Sequence, residues 1–171
     1  HPGSRYAPLR FNTTGGYNCA FGPGALEVNT TASNNTAMGL QSLYSNTMGG
    51  GNIAVGSYSL NSNTTGYTNS ALGYNSLKNN TTGYQNVAIG NEAMEDNTTG
   101  FNNTAVGYDA MGANTASGAN VAIGYESLKV YNHSADASHF ITALGTQSGR
   151  ALTTGIEYTL LGGNAGDALT D

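Results

Sequence analysis

The chain is 171 residues long, with a formal net charge of −5 and only 9% charged residues. An ordinary soluble domain carries about 25%, so the surface must be neutral and polar, and with nothing basic clustered the sequence argues against nucleic acid as a partner. No apolar run reaches the roughly 20 residues of a membrane-spanning helix, which argues against membrane insertion, and no signal peptide is recognisable.

In chain order, the opening His1-Pro2-Gly3-Ser4 has no initiator Met and reads as a cut point, so a fragment of a longer protein is expected. Residues 1–11 form a lead-in with a partial coil. From residue 12 a unit of 17 residues recurs, aligned on Gly22, Gly39, Gly56, Gly73, Gly90, Gly107 and Gly124, and then, after a step of 21, on Gly145 and Gly162. It reads Asn-x-Ala-apolar-Gly-x-x-Ser/Ala-Leu/Met-x-x-Asn-Thr-Thr-Gly-x-x, and residues 69–85 are a clean copy. Residues 12–128 are regular, residues 129–140 hold an insertion of four, and residues 141–171 are degenerate terminal repeats. A fixed short period marks a repeat architecture, so most positions are copies and a unique catalyst is not expected.

Helical-hairpin repeats need about twice this length. The unit is rich in Asn, Thr, Gly and Ser, which favour turns over helix. Two short strands and two turns would fill it, making one coil of an all-β parallel β-solenoid. Coils about 4.8 Å apart give a rod roughly 45 Å long.

Side chains alternate along a strand. The large apolar column Phe21, Met38, Val55, Leu72, Ile89, Val106, Ile123, Leu144 and Leu161 is expected to point inward, opposite a wall of Leu26, Leu43, Leu60, Leu77, Met94, Met111 and Leu128. Ala37, Ala54, Ala71, Ala88, Ala105 and Ala122 then point outward as candidate subunit contacts, since a solvent-facing position has no reason to insist on alanine. The competing reading is a narrow coil with alanine inside and the large residues outside. A single thin roll buries few large side chains per coil, so a homo-oligomer, a homotrimer, is expected. The corner glycine after the apolar column and the glycine of Asn-Thr-Thr-Gly are both expected at positive φ. The single cysteine, Cys19, is expected to be a buried free thiol.

Chemistry is sparse, and no enzyme, cofactor or metal is expected. The histidines are His1, His133 and His139. His133, Asp136 and His139 fall in the insertion at a spacing that fits no zinc pattern. Insertions in repeat arrays become protruding loops, often on the binding face, so Tyr131, Asn132, His133, Asp136, His139 and Phe140 are the receptor-binding candidates. Two aromatic ladders are further candidates: Tyr67, Tyr84 and Phe101 after the turn glycine, and Tyr74, Tyr108 and Tyr125 after the corner glycine. They suit either a glycan or ladder stacking on the coil edge. Glu92, Glu95 and Asp96 share one repeat without facing a partner pair. The column Thr13, Thr30, Thr47, Thr64, Thr81, Thr98 and Thr115 leaves an ice-binding solenoid as another reading. Its neighbouring column, which admits Met48 and Ala116, points the other way.

Val87-Ala88-Ile89-Gly90 and Val121-Ala122-Ile123-Gly124 resemble the Val-Ala-Ile-Gly repeats of trimeric autotransporter adhesin heads. The longer unit, as in Asn103-Thr104-Ala105-Val106-Gly107-Tyr108, is similar to repeats of phage tail fibres and bacterial surface fibres. The resemblance covers nearly the whole chain. It implies left-handed β-rolls that associate as trimers and an extracellular place on a virion tail or cell surface, and it carries over no binding residues; a host glycan or protein receptor is the expected partner. The expected function is therefore a structural or adhesive segment of a trimeric fibre. A pure spacer without ligand is the first competitor and an ice-binding solenoid the second.

Overall fold

A computed structural model describes residues 7–133, 138–167 and 169. Among the described residues, nine three-residue strands form one parallel sheet in sequence order: β1 (Cys19–Phe21), β2 (Thr36–Met38), β3 (Ile53–Val55), β4 (Ser70–Leu72), β5 (Val87–Ile89), β6 (Thr104–Val106), β7 (Val121–Ile123), β8 (Thr142–Leu144) and β9 (Thr159–Leu161). Every strand pairs with the next copy of itself, so Ala20 lies over Ala37, Ala37 over Ala54 and Ala54 over Ala71. The fold is a parallel β-solenoid with one repeat per coil. The 21-residue step, from Val121 to Thr142, keeps the same register.

The face assignment is the reverse of the one expected. Ala37, Ala54, Ala71, Ala88, Ala105 and Ala122 line the interior, while Phe21, Met38, Leu72, Ile89, Ile123, Leu144 and Leu161 stand on the outside. Ala88 is 0% exposed and its neighbour Ile89 is 40% exposed. The reason is cross-section. The inner layer already holds a fully buried Leu or Met per coil, from Leu26 to Leu128, and an asparagine at each corner. Only a methyl fits opposite. The narrow-coil reading is the correct one, and the alanines are unavailable as subunit contacts.

The wall bearing Leu26, Leu43, Leu60 and Leu77 is not a second strand. These residues adopt φ of 50–51°, and Gln41, Tyr58 and Asn75 two residues earlier are also left-handed. Such a residue costs roughly 1–2 kcal/mol, which burying a leucine offsets at about 1.5–3 kcal/mol. Coil-to-coil hydrogen bonds persist despite the broken pleat: Leu43 N–H donates to Ser59 O at 2.9 Å and Leu60 N–H to Ser76 O at 3.0 Å.

Asparagine brackets the core. Asn46, Asn63, Asn80, Asn97 and Asn114 are fully buried, and each side-chain amide donates to the Oδ1 of the asparagine one coil earlier, at 2.7–3.1 Å. A second ladder uses the asparagine before each strand. Asn86 N–H donates to Asn69 Oδ1 at 3.0 Å, and Asn86 Nδ2 donates to Gly100 O at 2.8 Å. Buried amides must be satisfied, and stacking identical copies satisfies them serially.

The two glycine columns differ. The corner glycines, Gly39 through Gly145, have φ of 132–141°, as expected. The turn glycines Gly66, Gly83 and Gly100 are not left-handed. They are required for close approach, because a Cβ at Gly83 would collide with the Asn80 amide oxygen and the Gly100 carbonyl.

Candidate functional site

The outer sheet face carries two columns of side chains. One is the large apolar column that ends each strand; the other, at each strand's first position, runs Cys19, Thr36, Ile53, Ser70, Val87, Thr104, Val121, Thr142 and Thr159. Isolated exposed apolar residues are ordinary, but a contiguous patch rimmed by polar groups marks an interaction surface. This one runs the length of nine strands. Cys19 lies on it as an exposed free thiol, not the buried one expected.

The two aromatic ladders flank that face. Tyr67, Tyr84 and Phe101 each lie six residues before their corner glycines and form a parallel stack, with centroids 5.0 and 5.3 Å apart and planes within 4° and 10°. On the other edge Tyr108 stacks on Tyr125 at 5.5 Å, while Tyr74 meets Tyr58 edge-on at 6.2 Å. The second ladder is interrupted by the exposed Asn91, whose Oδ1 accepts from the Tyr74 N–H at 3.4 Å. A hydrogen bond from Tyr108 to the Glu92 carboxylate raises the phenol pKa.

The insertion is only partly a surface feature. Tyr131 takes the place of the corner asparagine and is 0% exposed, and its hydroxyl donates to Gly155 O at 2.9 Å. Burial pushes its pKa up to about 12. His139, in the same column as Phe101, is 3% exposed, with its ring 4.3 Å from His133. Burial, then His133, lowers its pKa. Tyr131 and His139 therefore belong to the packed interior and present no face to a receptor. Asn132 and Phe140 are exposed, His133 is half-buried, and Asp136 lies outside the described residues. Asn132 Oδ1 accepts from the Thr115 hydroxyl at 2.7 Å, continuing the threonine column.

That column is tied down. Each hydroxyl from Thr13 to Thr98 donates to the carbonyl of the threonine one coil on, for example Thr64 to Thr81 at 3.1 Å and Thr98 to Thr115 at 2.9 Å. The hydroxyl protons run along the axis and reinforce the turn rather than face water.

One charged cluster crosses three coils. Lys129 Nζ lies 2.8 Å from both Asp109 Oδ2 and Glu126 Oε1, and Arg150 Nε lies 2.9 Å from Glu126 Oε2. Hydrogen bonds from Lys129 and Gln147 hold Glu126 near pKa 2, and the bonds that Lys129 makes to Asp109 and then Glu126 raise its own pKa well above the ordinary lysine range. A cleft of about 420 Å³ opens beside it, lined by Lys129, Val130, Gln147, Arg150, Ala151 and Asp167. The cluster was not legible from the repeat consensus, because its two columns have no fixed residue type: one runs through Gln41, Tyr58, Asn75 and Glu92, the other through Tyr44, Asn61, Lys78 and Glu95. Its signal was the spacing Asp109, Glu126, Lys129. Among the described residues no three His, Cys, Asp or Glu side chains are grouped to hold a metal ion, and no helix is long and apolar enough to cross a membrane.

Compared with protein-family models, curated proteins and solved structures, the chain matches none. The geometry therefore carries the functional argument.

Proposed function

We propose that this chain is a rigid segment of a homotrimeric extracellular fibre, on a phage tail or a bacterial surface, which displays a surface for a host glycan or protein receptor. One observation supports this most directly: the sheet's outer face exposes large apolar side chains from Phe21 to Leu161 in unbroken register. Three such faces turned toward a common axis bury one another, with every coil meeting its counterparts at the same height. The contact is made by the apolar column, with the alanines filling the coil behind it. Closed symmetry also ends growth at the edges of the face.

Solution mass tests the reading. The monomer is 17.5 kDa, so light scattering is expected to give about three times that mass, in keeping with closed cyclic assembly. The triple variant Leu72→Thr, Ile89→Thr and Ile123→Thr is expected to lower it to the monomer. A monomeric wild-type chain at micromolar concentration would sink the proposal. Cys19 offers an independent check, because mild oxidation should cross-link sister chains through the N-terminal end of the face.

A further inference from the structure

The Tyr67–Tyr84–Phe101 stack is closed at one end and open at the other. Beyond Phe101 the column continues with Gly118, onto which the Phe101 ring leans: a Cβ at Gly118 would lie 3.0 Å from two of its ring carbons. The next member, His139, is buried. Before Tyr67 the column holds Gly50, and there the added Cβ would meet one atom only, Ser33 O at 3.2 Å. The ring planes follow one another at nearly the coil spacing of about 4.8 Å. The free face of Tyr67 therefore looks back along the axis over a glycine, and Tyr67 is 46% exposed whereas Tyr84 and Phe101 are half-buried. One rung of the ladder is vacant.

The surroundings define what fills it. No acidic or basic residue occurs between Glu27 and Lys78, so nothing nearby would hold a phosphate, a carboxylate or an ammonium group. The polar groups at hand are neutral. Two coils earlier, the counterpart of Gly50, Gly16, donates its N–H to the Ser33 hydroxyl at 3.0 Å. Gly50 has Tyr67 in that position, which carries no γ-hydroxyl to accept. The vacant rung thus offers an apolar ring face with a backbone donor at its base. A neutral sugar ring matches both: its C–H face packs on the phenol and an equatorial hydroxyl accepts from the N–H.

We infer that the free face of Tyr67 above Gly50 is a binding subsite for an uncharged pyranose. This rests on the display role proposed above and gives it a ligand class and an address. The subsite repeats once per chain, so weak single-site binding would be amplified in a trimer by multivalency.

The test is ligand-observed NMR on the intact 171-residue chain, with the methyl glycosides of glucose, galactose, mannose and N-acetylglucosamine. At least one is expected to bind with a millimolar Kd. Tyr67→Ala should weaken it at least tenfold, and Tyr67→Phe should retain it. Gly50→Tyr, which completes the ladder with a protein ring, should abolish it while circular dichroism stays unchanged. Absence of binding by all four glycosides, or equal binding by wild type and Gly50→Tyr, overturns the inference. So does binding of p-cresol with none of the sugars, which would make the rung a site for aromatic side chains. Mass measured on the same samples reports the trimer separately, so the two proposals fail independently.

Discussion

Leu160 occupies the space that Gly149 leaves empty. Gly149 stands in the column that holds Leu or Met from Leu26 to Leu128, and Leu160 stands in the alanine column. A Cβ at Gly149 would lie 2.8 Å from Leu160 Cδ1 and 2.8 Å from Leu128 Cδ2. Gly149 belongs to the coil of Ala143, and Leu160 to the next coil, where the same column holds Gly166; one leucine thus reaches across to both glycines, since a Cβ at Gly166 would lie 3.0 Å from Leu160 Cδ1. Gly149 has φ of 63°, close to the 50° of Leu128, so the backbone there accepts a side chain. Leu160→Ala is expected to cost about 2–5 kcal/mol as a cavity, and Gly149→Leu about 1–3 kcal/mol by overpacking. The double variant restores the consensus at these two positions and should be more stable than the sum of the singles by about 1 kcal/mol or more. Urea denaturation at fixed chain concentration measures the cycle; additive losses would show that the two residues do not share a space.

The asparagine ladder makes a sharper demand on single sites. Asn80 Nδ2 donates to Asn63 Oδ1 at 2.7 Å and to Gly83 O at 3.1 Å. Gly83 O also accepts from Asn69 Nδ2 at 2.8 Å and so keeps a partner without Asn80, and Asn97 Nδ2, which loses its 2.8 Å bond to Asn80 Oδ1, keeps Gly100 O at 3.3 Å; the Asn63 oxygen is left with none. Asn80→Ala is expected to cost about 1–3 kcal/mol for that oxygen, with a cavity added. Thr82→Ala, two residues away and exposed, should change stability by less than about 0.5 kcal/mol. Equal effects would mean that the ladder is not buried in solution.

The period, the parallel stacking and the in-register columns were legible because each rests on the repeat alone. The faces were not. Alternation places Ala88 and Ile89 on opposite sides but does not say which side is in. Size suggested the isoleucine, yet the coil is closed by Leu77 and Met94 from the far wall and by Asn80 and Asn86 at the corners. In sequence the asparagines signal turns, and their second role as buried amides is what narrows the coil. Tyr131 is buried for the same reason: its column is the asparagine column, so its ring follows those amides inward. The aromatic ladders were legible as columns, whereas the vacancy at Gly50 needed the ring geometry.

Two adjacent residues separate folding from assembly. Ala88→Val forces two extra methyls into a filled interior and should destabilise the chain by about 1–3 kcal/mol, at any concentration. Ile89→Thr keeps a β-branched residue on the outer face and should leave the unassembled chain within about 0.5 kcal/mol. Any further loss from Ile89→Thr should grow as the chain concentration is raised, since it comes from the contact between chains. Denaturation midpoints at two concentrations a hundredfold apart read both effects, and a concentration-independent loss at Ile89 would argue for an inward side chain.

Acid should act on the C-terminal coils in two separate steps. Glu126 is held near pKa 2, below its ordinary 4.5, first by hydrogen bonds from Lys129 and Gln147. The folded chain thus binds that proton less readily than the unfolded one, and the stabilisation, complete above pH 4.5, is lost as pH falls toward 2. His139 is also depressed below its ordinary 6.5, by burial and then by His133. Its protonation likewise favours the unfolded chain, so stability begins to fall once pH drops below about 6.5. Urea midpoints from pH 8 to pH 2.5 should therefore show a shallow decline and then a steeper one. His139→Phe, which puts a second phenyl ring in the column of Phe101, should remove the first decline alone. Glu126→Gln should flatten the second and leave the first. A wild-type profile level between pH 7 and pH 5 would place His139 in water, and the packing assigned to the insertion would be wrong.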